Sequence, residues 1–162
     1  MTLQLLVAAV NKNALELAEE MQIDSDAIIV SQGDAYSYEE HFYKKHKLRY
    51  FAMAERGVGL SRNTALLRAE ADIVLFADED IVYQEGYAER VLQEFEKHPK
   101  ADMLLFQVNA VAGRETYHTD SFGRVRWYNC GRYPTYSFAV KREKVHNNNI
   151  TFSLLFGGGA KY

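Results

Sequence analysis

The sequence predicts an α/β fold in which helices cover both faces of a mainly parallel sheet. Apolar runs of strand length alternate with segments of helical composition along the first 109 residues. The first run, LQLLVAAV, is apolar almost throughout, as expected of a strand buried on both faces. Polar residues directly follow several of these runs, and parallel sheets bind ligands at the carboxyl ends of their strands. We therefore expect a binding site at that edge of the sheet.

Length and composition bound the class of protein. The chain has 162 residues, of which 48% are apolar and 25% charged, as in a single globular domain. The net charge of −3 gives no general reason for binding nucleic acid or an anionic membrane. Cys130 is the only cysteine, so no internal disulfide can form, and a cytoplasmic location is expected. No apolar run reaches the roughly 18 residues of a membrane span, which leaves only peripheral membrane contact open.

The first elements form a strand, helix, strand unit. Leu3–Val10 is predicted as a strand because it is apolar and lacks glycine, and Asn11 ends it. Ala14–Met21 is predicted as a helix because it is rich in Ala, Leu and Glu. Ala27–Val30 is again short and apolar, and it closes at the polar segment Ser31–Asp34.

The middle of the chain continues the alternation. We expect a helix near Ser37–Lys45, with the basic run at residues 44–49 favoured by the helix dipole at its C-terminus. A strand is expected over Leu48–Ala52. A helix should follow over about Ser61–Ala69, with Ser61 as its N-cap.

The last elements of the alternating part are more regular. Ile73–Ala77 is predicted as a buried strand. Tyr87–Lys97 carries one apolar stripe and ends before Pro99, which predicts an amphipathic helix. Met103–Val108 is predicted as a fifth strand.

The composition changes near residue 110. The segment at 113–140 is dense in aromatic residues, Arg and Gly, which favours short antiparallel strands. Its aromatic residues are interpreted as core first and as a stacking surface for a bound ligand second; they are Trp127, Tyr128, Tyr133, Tyr136 and Phe138. We therefore expect one domain over 1–162, with a ligand-binding half at 1–109 and a second half at 110–162.

Three adjacent acids end the fourth predicted strand. In extended chain Asp78 and Asp80 leave on one face, while Glu79 points away. Two converging carboxylates suit Mg²⁺ or Mn²⁺, which take oxygen ligands from one or two carboxylates, water and phosphates. The alternative is a solvated strand end or a helix N-terminus, where acids are also favoured.

Arg62 follows the expected N-cap of a helix. The helix dipole disfavours a cation in the first turn, and a bound anion would offset that cost. Helix N-termini bind phosphate, and an arginine adds a bidentate fork. The alternative is that Arg62 reaches solvent or pairs with Glu55 or a nearby aspartate.

The segment GVGLSRNTALLRAEADIVLFADEDIV resembles the family-2 glycosyltransferases, in which a strand, a Gly and Arg-Asn helix start, and a strand ending in an Asp-x-Asp (DXD) motif follow in this order. The resemblance extends over about Leu3–Val108 and more loosely to FGGGAKY. It implies the GT-A fold, a Rossmann-like three-layer sandwich that binds nucleotide sugars. It also implies inverting transfer of a sugar from a nucleoside diphosphate sugar to a carbohydrate or lipid-linked acceptor, with Mn²⁺ or Mg²⁺ as cofactor.

The same resemblance implies roles for individual residues. Asp80 would be the main metal ligand, and Asp78 would contact the metal or the ribose. The implied nucleotide contacts are Ala9, Asn11, Ser31, Gln32, Arg62 and Asp78. The residues after the first two predicted strands depart from the usual family pattern. The sequence therefore does not indicate which nucleotide base is recognised.

A catalytic base is also implied, as an acid that follows a glycine-containing segment on the acceptor side. Gly158 and Gly159 lie in such a segment, and the expected base lies beyond Tyr162, as if the chain were cut short before it. Glu115 and Asp120 are alternative acids in the same half. The catalytic residue therefore stays unassigned.

Two other functions remain as alternatives. A non-catalytic nucleotide-sugar-binding domain, or an inactive fragment, would keep the donor site without the base. A sugar-nucleotidyltransferase is less favoured, because AAVNKN lacks the glycine-rich loop that holds a triphosphate.

Overall fold

The structure is a computed structural model that describes residues 1–109, 122–130 and 134–159. Helices and strands alternate along most of the described chain. In chain order they are β1 (Leu3–Val10), α1 (Ala14–Glu20), β2 (Asp26–Gln32), β3 (Ser37–Tyr43), β4 (His46–Met53), α2 (Val58–Arg68), β5 (Ile73–Asp78), α3 (Tyr87–Lys97), β6 (Met103–Leu105), β7 (Phe138–Lys141) and α4 (Arg142–Asn147).

The strands form one seven-stranded sheet in the order β3-β4-β2-β1-β5-β7-β6. Strand β1 lies at its centre, where Leu5 pairs with Ala27 of β2 and Leu75 of β5 in parallel register. β4 pairs parallel to β2, whereas β3 and β7 each run antiparallel to their neighbours. The parallel centre confirms the predicted fold class. The carboxyl ends of β1, β2, β4 and β5 therefore meet at one edge.

Two apolar layers enclose the sheet. On one face α1 and α3 bury residues such as Leu17 and Phe95 against Leu5 of β1. On the other face α2 and α4 pack against Leu6 and Phe76. This alternation of neighbouring β1 residues between faces follows from the two-residue period of a strand. The arrangement is the three-layer sandwich that the sequence predicts.

The segment Ser37–Lys45 is not a helix, so that prediction was wrong. Residues Ser37–Tyr43 form strand β3, which pairs antiparallel with β4 from Ser37 opposite Ala52 to Tyr43 opposite His46. Lys44, at φ 54°, lies in the turn between them. The basic run therefore forms a hairpin turn and the start of β4 instead of a helix end. Cross-strand pairing with β4 outweighs the weak helical composition of this segment.

Helix α2 begins earlier than predicted. Its N-cap is Gly57, at φ 138°, and Ser61 lies inside the helix with its hydroxyl buried. Gly57 accommodates a backbone conformation that side chains rarely adopt, which lets the helix start at Val58. Arg62 consequently lies in the second turn, beyond the reach of the first-turn dipole effect invoked above.

The second half agrees with the prediction only in part. The predicted fifth strand is limited to β6, and β7 adds an antiparallel strand between β5 and β6. Glu115, Asp120 and Tyr133 lie outside the described residues. Phe138 packs into the core on the α2 face, whereas Trp127 and Tyr128 are exposed. None of the helices in the described ranges has the length and apolar character needed to cross a membrane.

Candidate functional site

The candidate site lies at the carboxyl ends of the parallel strands, beside the N-terminus of α2. β1 is followed there by Asn11, β2 ends at Gln32, and β5 ends at Asp78. Helix α2 follows β4 through a short loop, so its N-terminus lies at the same edge. The topology therefore brings together residues that are far apart in sequence, as parallel sheets do at their binding edges.

Arg62 and Asp78 form an ion pair at this edge. Arg62 Nη2 donates to Asp78 Oδ1 at 2.7 Å, and the side chains are 8% and 32% exposed. The guanidinium carbon lies 5.5 Å from the centroid of the Phe152 ring. The Nε atom of Arg62 is buried and has no hydrogen-bond partner within the described residues. Of the two interpretations of Arg62 drawn from the sequence, the structure therefore shows the one in which Arg62 pairs with a nearby aspartate.

The three acids are separated by the end of the strand. β5 ends at Asp78, and a turn follows in which Ile81 N donates to Asp78 O at 3.3 Å. Glu79 Oε2 accepts from Val10 N at 2.8 Å, which ties the ends of β5 and β1 together. Asp80 is exposed and forms no hydrogen bond or ion pair with another described residue. The extended chain assumed for this pair from sequence therefore stops at Asp78.

Some of the residues predicted to contact the nucleotide are buried and hold the backbone, and others are exposed. Ser31 Oγ accepts from Lys12 N at 3.0 Å, and Gln32 Oε1 accepts from Gly57 N at 2.7 Å. Both side chains are buried, and Ala9 packs in the core on the α1 face. Of the residues predicted at the ends of β1 and β2, Asn11 keeps an exposed side chain.

Asn11 itself makes a sharp bend at the end of β1. Its φ is 52°, in the left-handed region that Asn tolerates better than most residues. Its backbone N–H donates to Gln32 O at 2.9 Å. The bend takes the chain out of the sheet at the carboxyl end of β2, to which this hydrogen bond ties it.

Residues 151–159 pack against the start of α2. Gly158 O accepts from Val58 N at 3.0 Å, so one free N–H of the helix N-terminus is satisfied by the chain itself. The Asn63 side chain binds the Phe152 backbone twice, accepting from its N–H at 2.8 Å and donating to its carbonyl at 2.9 Å. Gly158 and Gly159 therefore lie at the edge that carries Arg62.

Sequence reasoning missed Asn63 and Phe152. Asn is a poor residue for a helix interior, so Asn63 inside a predicted helix was a usable signal of a special contact. Its partner could not be identified from sequence, because the two residues are separated by 89 positions.

A pair of tyrosines lies beneath the acids. Tyr83 stacks on Tyr87 with ring centroids 4.2 Å apart, and the Tyr87 hydroxyl lies 2.7 Å from Ser25 Oγ. Burial raises the pKa of Tyr87 to about 12. Burial also raises the pKa of Tyr83, with smaller contributions from Tyr87 and the Asp78 charge. Both phenols are thus neutral at ordinary pH and serve as packing under the site.

Asp78 and Asp80 are of the ligand type that divalent cations prefer, but no third protein ligand joins them among the described residues. No group of three or more His, Cys, Asp or Glu residues converges anywhere in the part of the chain that the structure describes. Mg²⁺ does not require three protein ligands, because it commonly takes one or two carboxylates and completes its coordination shell with water and substrate phosphates. Arg62 engages Oδ1 of Asp78, which leaves Oδ2 and the Asp80 carboxylate as hard oxygen donors.

Comparison with known proteins extends these observations. The model of the family described as Glycosyl transferase family 2 matches residues 22–156. A crystal structure of S. aureus TarS 1–349 in complex with UDP-GlcNAc is 19% identical, with a TM-score of 0.70, and covers 94% of this chain and 49% of its own. The crystal structure of TarS 1–349 in complex with UDP is 18% identical, with a TM-score of 0.67, and the match covers 94% of this chain and 50% of that chain. A further S. aureus TarS structure is 18% identical, with a TM-score of 0.68, and the match covers 99% of this chain and 32% of that chain. The chain thus spans about half the length of TarS 1–349. The comparison with curated proteins gave no match.

Proposed function

The chain belongs to glycosyl transferase family 2, and from this premise we propose that it transfers a sugar from a nucleoside diphosphate sugar to a carbohydrate or lipid-linked acceptor, with inversion. The observation that carries the proposal is the Arg62–Asp78 pair at the carboxyl edge, next to the exposed Asp80. This edge is where sheets of this type bind nucleotides. The likeness to TarS structures that contain UDP-GlcNAc and UDP supports a nucleotide sugar as the donor class.

The donor would span the edge from β1 to α2. The base and ribose would lie over Asn11, whose side chain is exposed, while Ser31 and Gln32 hold the loops beneath it through the Lys12 and Gly57 amides. Ala9 would contribute backbone only, because its methyl group packs in the core. In this arrangement the diphosphate faces Arg62.

Arg62 would orient the diphosphate. Its pairing with Asp78 uses one of five guanidinium donors, and the Nε atom is still unpaired among the described residues. A charge-assisted bond between guanidinium and phosphate is among the stronger hydrogen bonds in proteins. The Asp78 carboxylate keeps the guanidinium in place before the donor arrives.

Asp80 and Oδ2 of Asp78 would hold Mn²⁺ or Mg²⁺ together with diphosphate oxygens. Such an ion supplies charge neutralisation for the nucleoside diphosphate that leaves when the sugar is transferred. The residues of this chain would fix the ion and the diphosphate relative to each other. No described residue is assigned as the catalytic base.

Calorimetric titration with UDP tests the donor site. We expect UDP to bind more tightly with Mn²⁺ than with EDTA, and Asp80→Asn to remove that difference. Glu96→Gln, at an exposed acid on α3, is the matched control and should bind like the parent chain. Equal UDP affinity with Mn²⁺ and with EDTA would contradict the metal role.

The enzymatic part of the proposal needs a second measurement. Incubation with UDP-GlcNAc and candidate acceptors should release UDP, measured by a coupled assay. Tight UDP binding with no release for any acceptor would instead support a non-catalytic nucleotide-sugar-binding domain. Failure of every nucleoside diphosphate tested, UDP and GDP among them, to bind under any condition would contradict both functions.

A further inference from the structure

A concavity apart from the candidate site lies on the α2 face of the sheet, between α2 and the β3–β4 hairpin. Its volume is about 450 Å³, which is within the range of small-molecule sites. Its lining includes Tyr36, Tyr38, Phe51, Glu55, Thr64 and Arg68. We call it the hairpin groove. It shares no lining residue with the Arg62, Asp78 and Asp80 cluster.

The hairpin groove has an aromatic wall. Tyr38 of β3 lies opposite Phe51 of β4, and their ring centroids are 4.7 Å apart with planes tilted by 35°. Tyr36 lies directly before β3 and lines the groove together with Tyr38. Strand β3 is the edge of the sheet, so α2 does not cover these rings, and Tyr36 and Tyr38 are 64% and 52% exposed.

Charged groups flank the rings. The Arg68 guanidinium carbon lies 4.9 Å from the Phe51 ring centroid, and its Nη1 donates to Thr64 O at 3.1 Å. Glu55 lines the groove together with Tyr36, and this carboxylate raises the pKa of the Tyr36 hydroxyl. The groove thus combines ring faces with a carboxylate acceptor and a guanidinium donor.

We propose that the hairpin groove binds one or two sugar rings of a saccharide chain. The apolar face of a sugar ring would lie against Tyr38 and Tyr36, and its hydroxyls would bond to Glu55 and Arg68. A purely apolar partner would strip water from Glu55 and Arg68 without replacing their hydrogen bonds, which is costly. A polyanion would be repelled by the negative charge of the Glu55 carboxylate. A saccharide supplies apolar C–H faces, donors and acceptors together.

The location connects this site with the proposed donor site. Met53, which also lines the groove, pairs with Gln32 at the carboxyl end of the parallel strands. A saccharide chain in the groove would therefore lie next to the edge that carries Arg62 and Asp78. The inference goes beyond the proposed function, because it concerns a separate surface, and either site can fail without the other.

Chemical-shift mapping by NMR tests the proposal. The ¹⁵N-labelled chain is titrated with maltohexaose, cellohexaose and chitohexaose, each to millimolar concentration. We expect at least one of them to shift the amide signals of Tyr38, Phe51 and Arg68. Tyr38→Ala should weaken this binding about tenfold or more, which corresponds to about 1.4 kcal/mol.

Phe42→Ala is the matched control. Phe42 lies on the same strand and on the same side as Tyr38, is 71% exposed, and does not line the groove. The control should bind the saccharide like the parent chain, and UDP affinity should be unchanged in both variants. This readout separates failure of the groove from failure of the donor site, and it shows that the variants are folded.

Three results would overturn the proposal. The first is the absence of any shift in the groove with all three oligosaccharides. The second is equal binding by the parent chain and Tyr38→Ala. The third is groove shifts that depend on protein concentration without saccharide, which would identify a second copy of the chain as the occupant.

Discussion

Arg62 is almost enclosed, with Asp78 on one side and the Phe152 ring on another. A guanidinium in such a position needs its partners, because removing one leaves an uncompensated charge in a poorly hydrated place. Lysine would keep the charge but lose the planar fork. Substitution of Arg62 therefore tests both the ion pair with Asp78 and the proposed contact with the diphosphate.

The first prediction separates charge recognition from base recognition. Arg62→Ala should lower the affinity for UDP by roughly 1.5 to 3 kcal/mol, the range for a hydrogen bond to a charged group. The affinity for uridine should change little, since uridine lacks the diphosphate. Calorimetry with both ligands measures the two effects. An equal loss for UDP and uridine would identify Arg62 as a structural residue only.

The second prediction concerns Asn63. Asn63→Ala removes two hydrogen bonds and leaves the Phe152 N–H and carbonyl without partners, so we expect a loss of about 1 to 3 kcal/mol in the free energy of unfolding. Urea denaturation measures it. Gln93→Ala, at an exposed polar position on α3, should cost much less. Equal stability of the two variants would show that the Asn63 contact contributes nothing.

Residues were predictable from sequence where the signal was local. Asn11 follows an apolar strand, Asp78 ends one, and Arg62 is a lone arginine early in a helix, and the structure places all three at one edge of the sheet. Their binding roles stay predictions. The structural roles of Gln32 and Asn63 depend on partners 25 and 89 positions away. Sequence patterns of a single chain do not contain that information.

Helix α3 is attached to the rest of the molecule by an apolar stripe and by the Tyr87 hydroxyl. Tyr87, Val91 and Phe95 are buried on one side of the helix. Tyr87 also lies 2.7 Å from Ser25 Oγ, in the segment before β2. Ionisation of Tyr87 would place a charge in this buried contact, so the docking of α3 depends on the neutral phenol.

The third prediction follows from this pKa. The Tyr87 pKa is about 12 in the folded chain and 10.0 ordinarily, so its contribution to stability is complete below about pH 10 and is lost as the pH rises to about 12. The loss should be on the order of 2 to 3 kcal/mol. Tyr87→Phe should show a shallower decline over this window in urea denaturation, because its other titrating groups are unchanged. Parallel curves for the two proteins would contradict the assignment.

The fourth prediction concerns the contact between α2 and residues 151–159. A Cβ atom at Gly59 would lie 2.3 Å from the Ser153 carbonyl oxygen, so the backbone would have to move. Gly59→Ala should therefore speed amide exchange at Phe152 and Leu155, both of which donate hydrogen bonds in this segment. Gly123→Ala is the control, because no atom of the described residues lies within 4 Å of its Cβ position. Unchanged exchange in Gly59→Ala would contradict the close contact.

The elements differ in how well the sequence predicts them. Tyr87–Lys97 was predicted with its observed bounds, because its apolar stripe is long and Pro99 limits it. The β3–β4 hairpin was missed, because β3 is an edge strand with exposed residues on both faces and hence no clear alternation. The start of α2 was misplaced, because Gly57 acts as N-cap through its backbone conformation and offers no side-chain signal.

The whole molecule explains why one edge of the sheet carries the chemistry. The buried parallel strands hold Asn11, Gln32 and Asp78 at fixed positions, and Glu79 locks the ends of β5 and β1 together. The fold class was predictable because buried parallel strands have a strong sequence signal. The pairing order of β6 and β7 was not, since it depends on contacts between distant segments.

The central claim is that a metal-bound nucleoside diphosphate occupies this edge, and paramagnetic relaxation tests it most directly. Mn²⁺ added with UDP broadens the NMR signals of nearby amides. We expect selective broadening at Asp78–Ile81, Asn11 and Arg62, reversed by Mg²⁺ and absent in Asp80→Asn. Broadening instead at the opposite edge, around Asp24 and Asp26, or no selective broadening at all, would contradict the account.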